Sequence, residues 1–314
     1  MKNLLKKEWI YGKWIVLMVT VLLIVSSIQI FGSYLGDIKS REQFDMFLGS
    51  DMYIQNYWYG KTSIIVMAIV IFVVFLVMMS DYLNGGYEVL SSMPYTRKQI
   101  IISKWIMAEI SIIVPLIINY CVIIVMYFIN YNIVNAFNIL GTLFQWMILS
   151  LCVYIFTTTF VMFIQSLHGN NIVGAITNAF ILVCLQIGGG LLESFFQVYG
   201  LKIYIRDGIY MLPFFNDMSI DYSVYLKIFV LIAFSIVFLC LMTLSFRKIP
   251  LEKRYNFIFY KSFRYLLRVC LVIMSTMFVV CLIFDKGGVN PLLVGIVTIV
   301  MLVPITFVSI KTIY

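Results

Sequence analysis

Eight stretches of this 314-residue chain each run for about 20 residues with few or no charges, the length an α-helix needs to cross roughly 30 Å of hydrocarbon. They lie at about 14–35, 62–80, 105–128, 138–164, 172–192, 226–246, 266–284 and 291–310. Lipid gives the backbone no hydrogen-bonding partners, so runs of this length are predicted as helices. A barrel would show alternating strands of about ten residues, and the sequence has none. The expected fold class is all-α: a polytopic integral membrane helix bundle of about eight transmembrane helices.

Composition decides the same way. The chain is 63% hydrophobic and 11% charged, against roughly 45–50% and about 25% in soluble domains. An ordinary cytosolic enzyme, a disordered regulator and a disulfide-stapled secreted domain are excluded. The six cysteines, Cys121, Cys152, Cys184, Cys240, Cys270 and Cys281, all sit inside apolar runs and read as small hydrophobes. The apolar run from Ile15 to about Ile30 exceeds the roughly 7–15 residues of a signal-peptide core, so it is expected to be an uncleaved first span.

Orientation follows from the basic residues. With eight spans and the N-terminus inside, the inner segments hold Lys2, Lys6, Lys7, Lys13, Arg97, Lys98, Lys104, Arg247, Lys248, Lys253, Arg254, Lys261, Arg264, Arg268 and Lys311. The outer segments hold Lys39, Arg41, Lys61, Lys202, Arg206, Lys227 and Lys286. That split of 15 to 7 among the 22 basic residues places both termini in the cytoplasm of a multi-pass protein of the cell membrane, bacterial by expectation. The net charge of +8 then reflects topology and lipid headgroups, with no nucleic-acid partner.

Three cytoplasmic segments stand out. On a helical wheel of Met1–Trp14, Lys2, Lys6 and Lys13 cluster opposite Leu4, Tyr11 and Trp14. That suits an interfacial helix in the headgroup plane, ahead of a turn into the first span; a plain basic flank explains it too. Between the second and third runs, residues 81–104 contain a helix-sized stretch bounded by Gly85-Gly86 and Pro94, with Thr96 fit to cap the helix that follows. A simple connecting loop would use the same residues. In Leu251–Arg268 five cations share one helical face. This basic amphipathic segment suits either an anionic leaflet or a cytoplasmic subunit.

The run Glu88-x-Leu90-x-Ser92-x-Pro94-x-x-Arg97-x-x-Ile100-x-x-x-Lys104 resembles the first cytoplasmic loop of the small permeases of second-class ATP-binding-cassette exporters. In that family the loop between spans two and three carries the helix that couples to the ATPase. The resemblance implies that Tyr87, Glu88, Leu90, Ser92, Pro94 and Arg97 form the ATPase-coupling loop. The basic N-terminus resembles the family's interfacial elbow helix, and 193–215, ending Met211-Leu212-Pro213-Phe214, resembles its extracellular hairpin. The likeness covers residues 1–247 as a six-span permease core. Residues 248–314 depart from it as a basic helix followed by a two-span C-terminal hairpin.

Polar residues inside the runs are few. Glu109, Asn119, Gln145 and Asn178 form a candidate intramembrane polar site, since ionisable or amide groups in hydrocarbon need a partner or a function. An interfacial carboxylate at Glu109 and plain interhelical hydrogen bonds at the amides fit equally. Pro115 and Pro304 are expected to kink their spans, Gly188-Gly189-Gly190 to permit a break or a close approach, and Gly32-x-x-x-Gly36 to mark helix packing. His168 is the only histidine, which excludes a His-based metal site. No phosphate-binding loop, HExxH or GxSxG is present, so neither catalytic residues nor cofactors are expected.

The expected function is therefore that of a transport subunit, not an enzyme. The resemblance implies a permease that moves an amphiphilic substrate (a peptide, lipid or drug, in antimicrobial-peptide export or self-protection). Its expected partners are a separate ATP-binding-cassette ATPase, a second permease copy or related permease, and membrane lipids. An ion-coupled secondary transporter should show several buried charges, of which the sequence offers only Glu109. A membrane scaffold or sensor component is the third reading.

Overall fold

The computed structural model describes residues 2–42, 67–79, 95–130, 139–198 and 224–248, with scattered residues between 263 and 276. Its regular structure is helical: α1 (Lys2–Glu42), α2 (Met67–Met79), α3 (Arg97–Ile129), α4 (Ile139–Ser166), α5 (Asn171–Val198) and α6 (Val224–Lys248). These six helices fall on the first six apolar runs. Four of them, α1, α3, α4 and α6, contain stretches long and apolar enough to cross a membrane. The last two runs fall largely outside the described residues, as do Pro304, 81–94 and the 201–223 part of the outer segment.

One expectation is corrected. The N-terminal segment does not lie as a separate interfacial helix before a turn; residues 2–42 form one continuous helix of 41 residues. The sequence gives the chain no reason to break there. Met1–Trp14 lacks proline, and its single glycine, Gly12, is buried against α3, where packing supports the helix. Pro115 sits inside α3, and the three glycines at 188–190 lie inside α5 without a break in the helix.

α3 starts where Thr96 lets it start. The Thr96 hydroxyl accepts from the Gln99 amide at 3.3 Å, and the Gln99 side chain accepts from the Thr96 amide at 3.0 Å, a reciprocal capping box. Arg97 is thereby the first helical residue.

The bundle is organised around α3. Its inner residues Ile101, Ala108, Ile112, Leu116, Ile123 and Tyr127 join Val19, Leu23 and Phe31 of α1 and Val70, Val73, Val74 and Val77 of α2 in one apolar core. α1 and α3 make the most extensive pairing and run parallel, because Leu4 packs on Ile100 while Glu8 reaches Lys104. α6 packs on α4 through Phe238, which meets Phe156, Phe160 and Phe163 at ring-centroid distances of 5.1–5.9 Å. The buried residues of α6, Leu231, Ser235 and Met242, recur at steps of four and seven, a single stripe facing inward. The outward residues stay apolar: Trp14, Val21 and Val25 on α1, and Phe229 and Ile236 on α6, are exposed. A helix apolar on all sides is what a lipid solvent requires.

Candidate functional site

Polar side chains are concentrated in three buried groups. The first joins three helices at the end of the bundle where α1 begins. Lys104 is 1% exposed and Glu8 3% exposed. The Lys104 ammonium stands 3.6 Å from Glu8 Oε2 and donates to the Val77 carbonyl at 3.0 Å. Lys7, partly exposed, lies 4.0 Å from Glu8 Oε1. Burying two charges requires close pairing and further hydrogen bonds; α2 supplies one of these through a carbonyl in its last turn. Lys104 therefore does not reach toward headgroups, as its place in a basic flank implied, but turns into the bundle.

Five residues further along α3, about 7.5 Å at 1.5 Å per residue, lies the second group. Trp105 Nε1 donates to the Thr159 hydroxyl at 3.0 Å. The hydroxyl donates to Glu109 Oε1 at 3.3 Å, or to the Ile155 carbonyl at 2.8 Å. Glu109 is 5% exposed, and its Oε2 meets no hydrogen-bond partner among the described residues. The Glu109 side chain is buried and faces α4, because it stands beside Ala108 and about one turn before Ile112 on the inner surface of α3.

The third group ties the α4–α5 turn to α2. The Gln165 side-chain amide donates to the Asn171 carbonyl at 2.7 Å and contacts Asn171 Oδ1. Asn171 donates to the Phe75 carbonyl at 2.9 Å. Asn178 donates to Gln165 Oε1 at 2.9 Å and to the Val161 carbonyl at 3.2 Å. Asn171, Gly174, Asn178 and Leu182 form the buried stripe of α5, spaced by three or four residues. Gly174 leaves room within it for the Gln165 amide, which a Cβ there would meet at 2.7 Å and push off its bonds to Asn171 and Asn178.

His168 closes the same turn. Its Nδ1 donates to the Ile164 carbonyl at 2.8 Å, and its ring meets Phe263 edge-on at 5.8 Å. Nε2 is buried without a hydrogen-bond partner among the described residues. Burial pushes the imidazole below its ordinary value, and the Ile164 carbonyl offsets this only in part. The neutral ring is thus favoured in the fold, and protonation favours the unfolded chain. Stability is complete above the unfolded value of about 6.5 and falls as pH drops through it toward the lower folded value. Thermal unfolding of wild type and His168→Asn in detergent should diverge between about pH 7.5 and 5. The wild type should lose stability as pH falls, and the variant should lose less; parallel pH profiles would disprove the assignment.

The residues expected to form an intramembrane site do not converge. Asn119 is buried on α3 with Oδ1 unpartnered among the described residues, ten residues or about 15 Å beyond Glu109. Asn178 belongs to the amide network on α5. Gln145 is exposed on α4 and is corrected from interior polar group to outward-facing side chain: its neighbour Leu143 takes the inner face. Gly32 has open space around it among the described residues, so it makes no close packing with them. Tyr87, Glu88, Leu90, Ser92 and Pro94 lie outside the described residues, while Arg97 opens α3. Among the described residues no three His, Cys, Asp or Glu side chains are grouped to hold a metal ion.

Sequence reasoning passed over Glu8, Gln165, Asn171 and Thr159, and took Lys104 only as a basic flank and a motif residue. A signal existed for Glu8: Leu4, Glu8 and Gly12 are spaced by four, which puts the carboxylate on a packing face. Comparison with known proteins finds no matching family model, and no curated protein or solved structure matches the chain.

Proposed function

We propose that this chain is the membrane-spanning permease subunit of an ATP-binding-cassette exporter. It would move an amphiphilic substrate with energy from a separate cytoplasmic ATPase, and work as a pair with a second copy or a related permease. In this reading it has eight spans with both termini in the cytoplasm, the last two added to a six-span core. The observation that carries the reading is positional. Arg97 opens α3 on the same side as the start of α1, because α1 and α3 are parallel, and in the sequence Tyr87 to Pro94 lead directly into it. A cytoplasmic partner needs such an element, tied to two spans, to act on the bundle.

The test replaces Glu88 by Lys and Leu90 by Asp. Both variants should insert at wild-type levels, yet co-purify with the ATPase at least tenfold less well or hydrolyse ATP without export. Wild-type assembly and export in both would overturn the coupling role of Glu88 and Leu90, and an ATPase that never co-purifies with the parent chain would end the exporter reading.

The buried Glu8, Lys104 and Glu109 favour one second reading, an ion-coupled secondary transporter. Uptake into liposomes holding this chain alone, driven by an ion gradient, would select it.

A further inference from the structure

Three successive turns of α1 meet three successive turns of α3. Leu4 packs on Ile100, Glu8 pairs with Lys104 at 3.6 Å, and Gly12 lies against the Met107 side chain. Beyond them the inner face of α1 continues with Val19, Leu23, Ser27 and Phe31, again one residue per turn. An apolar face repeating every four residues fits its partner almost as well when displaced by a turn of about 5.4 Å. Nothing in Val19, Leu23 or Phe31 selects one axial position. Glu8 does: a one-turn displacement would set it against Ile100 or Ala108, burying a carboxylate on apolar surface. Lys104 in turn is fixed to the last turn of α2 by its 3.0 Å bond to the Val77 carbonyl.

We propose that the Glu8–Lys104 pair is a register lock. It holds α1 at one axial position against α2 and α3, so that a displacement of those two helices carries α1 with it instead of sliding past. Polar groups that fix register are a well-attested use of buried charge, and one-turn ratchets between packed helices are the motion it would prevent. The register claim stands on geometry alone. Its consequence for transport rests on the exporter reading, in which the segment between α2 and α3 receives the ATPase stroke and Glu8 and Lys104 are positioning residues that pass it on.

The test uses the full-length chain in a cysteine-free background in native membranes, with Leu4→Cys and Ile100→Cys as reporters. Copper-phenanthroline oxidation is followed by mass spectrometry of the linked peptides. The otherwise unchanged chain should cross-link efficiently. Glu8→Gln combined with Lys104→Met removes both charges; it should insert at parental levels and unfold above Lys104→Met alone, which leaves the Glu8 carboxylate buried without its cation. Cross-linking should nevertheless fall at least fivefold. Glu8→Gln alone, which keeps the Lys104 bond to Val77, gives the same readout in a milder background and should fall in the same direction. Lys104→Arg keeps the charge and should hold most of the yield. Parental cross-linking in both Glu8→Gln backgrounds would overturn the lock, as would a loss in Lys104→Arg equal to that in the double variant. A separate arm measures ATPase co-purification and export. Retained association with lost export in the double variant supports the coupling role, and retained export overturns that role. An ATPase that never co-purifies with the parent chain sinks the exporter reading and leaves the cross-linking result to decide the lock.

Discussion

Replacing Lys104 by Met is expected to lower stability by about 3 kcal/mol, the lower end of the range for breaking a buried ion pair. The mechanism is loss of the cation that faces Glu8 at 3.6 Å in a site from which water is nearly excluded. Two details set the size. Lys7 remains 4.0 Å from Glu8 Oε1, and being partly exposed it offsets only part of the loss. The Val77 carbonyl loses its donor as well. Glu8→Gln should cost less, about 1–2 kcal/mol. It keeps an amide oxygen near Lys104 and leaves the carbonyl bond in place. Unfolding temperatures of the purified variants in one detergent should rank wild type above Glu8→Gln above Lys104→Met. A Lys104→Met protein as stable as wild type would show that the pair contributes nothing to folding.

Replacing Gln165 by Leu should cost about 2–4 kcal/mol, although Leu approximates the volume of Gln. The side chain donates to Asn171 and accepts from Asn178, so a Leu there leaves groups about two turns apart on α5 without these bonds. Each lost bond is worth about 1 kcal/mol, and each buried polar group left unsatisfied adds about 1–3 kcal/mol. Relaxation of neighbours inside a membrane bundle trims the sum. Asn178→Leu should cost less, since it removes bonds to Gln165 and Val161 but leaves the Asn171 contacts to Gln165 and Phe75 intact. Guanidinium-independent readouts such as thermal aggregation in detergent suit this comparison. A Gln165→Leu variant less affected than Asn178→Leu would show that Gln165 is not the hub.

Helix positions were legible because lipid imposes a minimum length on any apolar span, and that constraint acts locally. Thr96 was legible for a related reason, since a cap depends only on the residues within one turn. Continuity from the basic N-terminus into the first span was not. A wheel drawn on Met1–Trp14 alone weighs charge against apolar side chains and groups Leu4 with Tyr11 and Trp14; the face it shares with Glu8 and Gly12 becomes visible only once α3 is there to fill it. Lys104 was hidden in the same way. In a basic flank it looks like every other positive-inside residue, and only its pairing with a carboxylate 96 positions earlier separates it from Lys98, which is exposed. The amide network illustrates the opposite case. Asn178 showed in the sequence because it interrupts an apolar run, whereas Gln165 and Asn171 stand at the ends of their helices, where polar residues attract no notice. Gln145 was misjudged because a polar residue within a run fixes its depth along the helix but not the face it occupies.

The separation between Glu8 and Lys104 also has a meaning in time. Synthesis at about 5–20 residues per second makes Lys104 roughly 5–20 s after Glu8 has left the ribosomal active site. During that interval the first helix has its carboxylate but not the cation that will bury it, so Glu8 must keep its water. Emergence of the third helix then ends the wait, and the N-terminal turns can settle onto it. The first helix of this protein is thus made early but finished late, and its final position depends on a residue in the third.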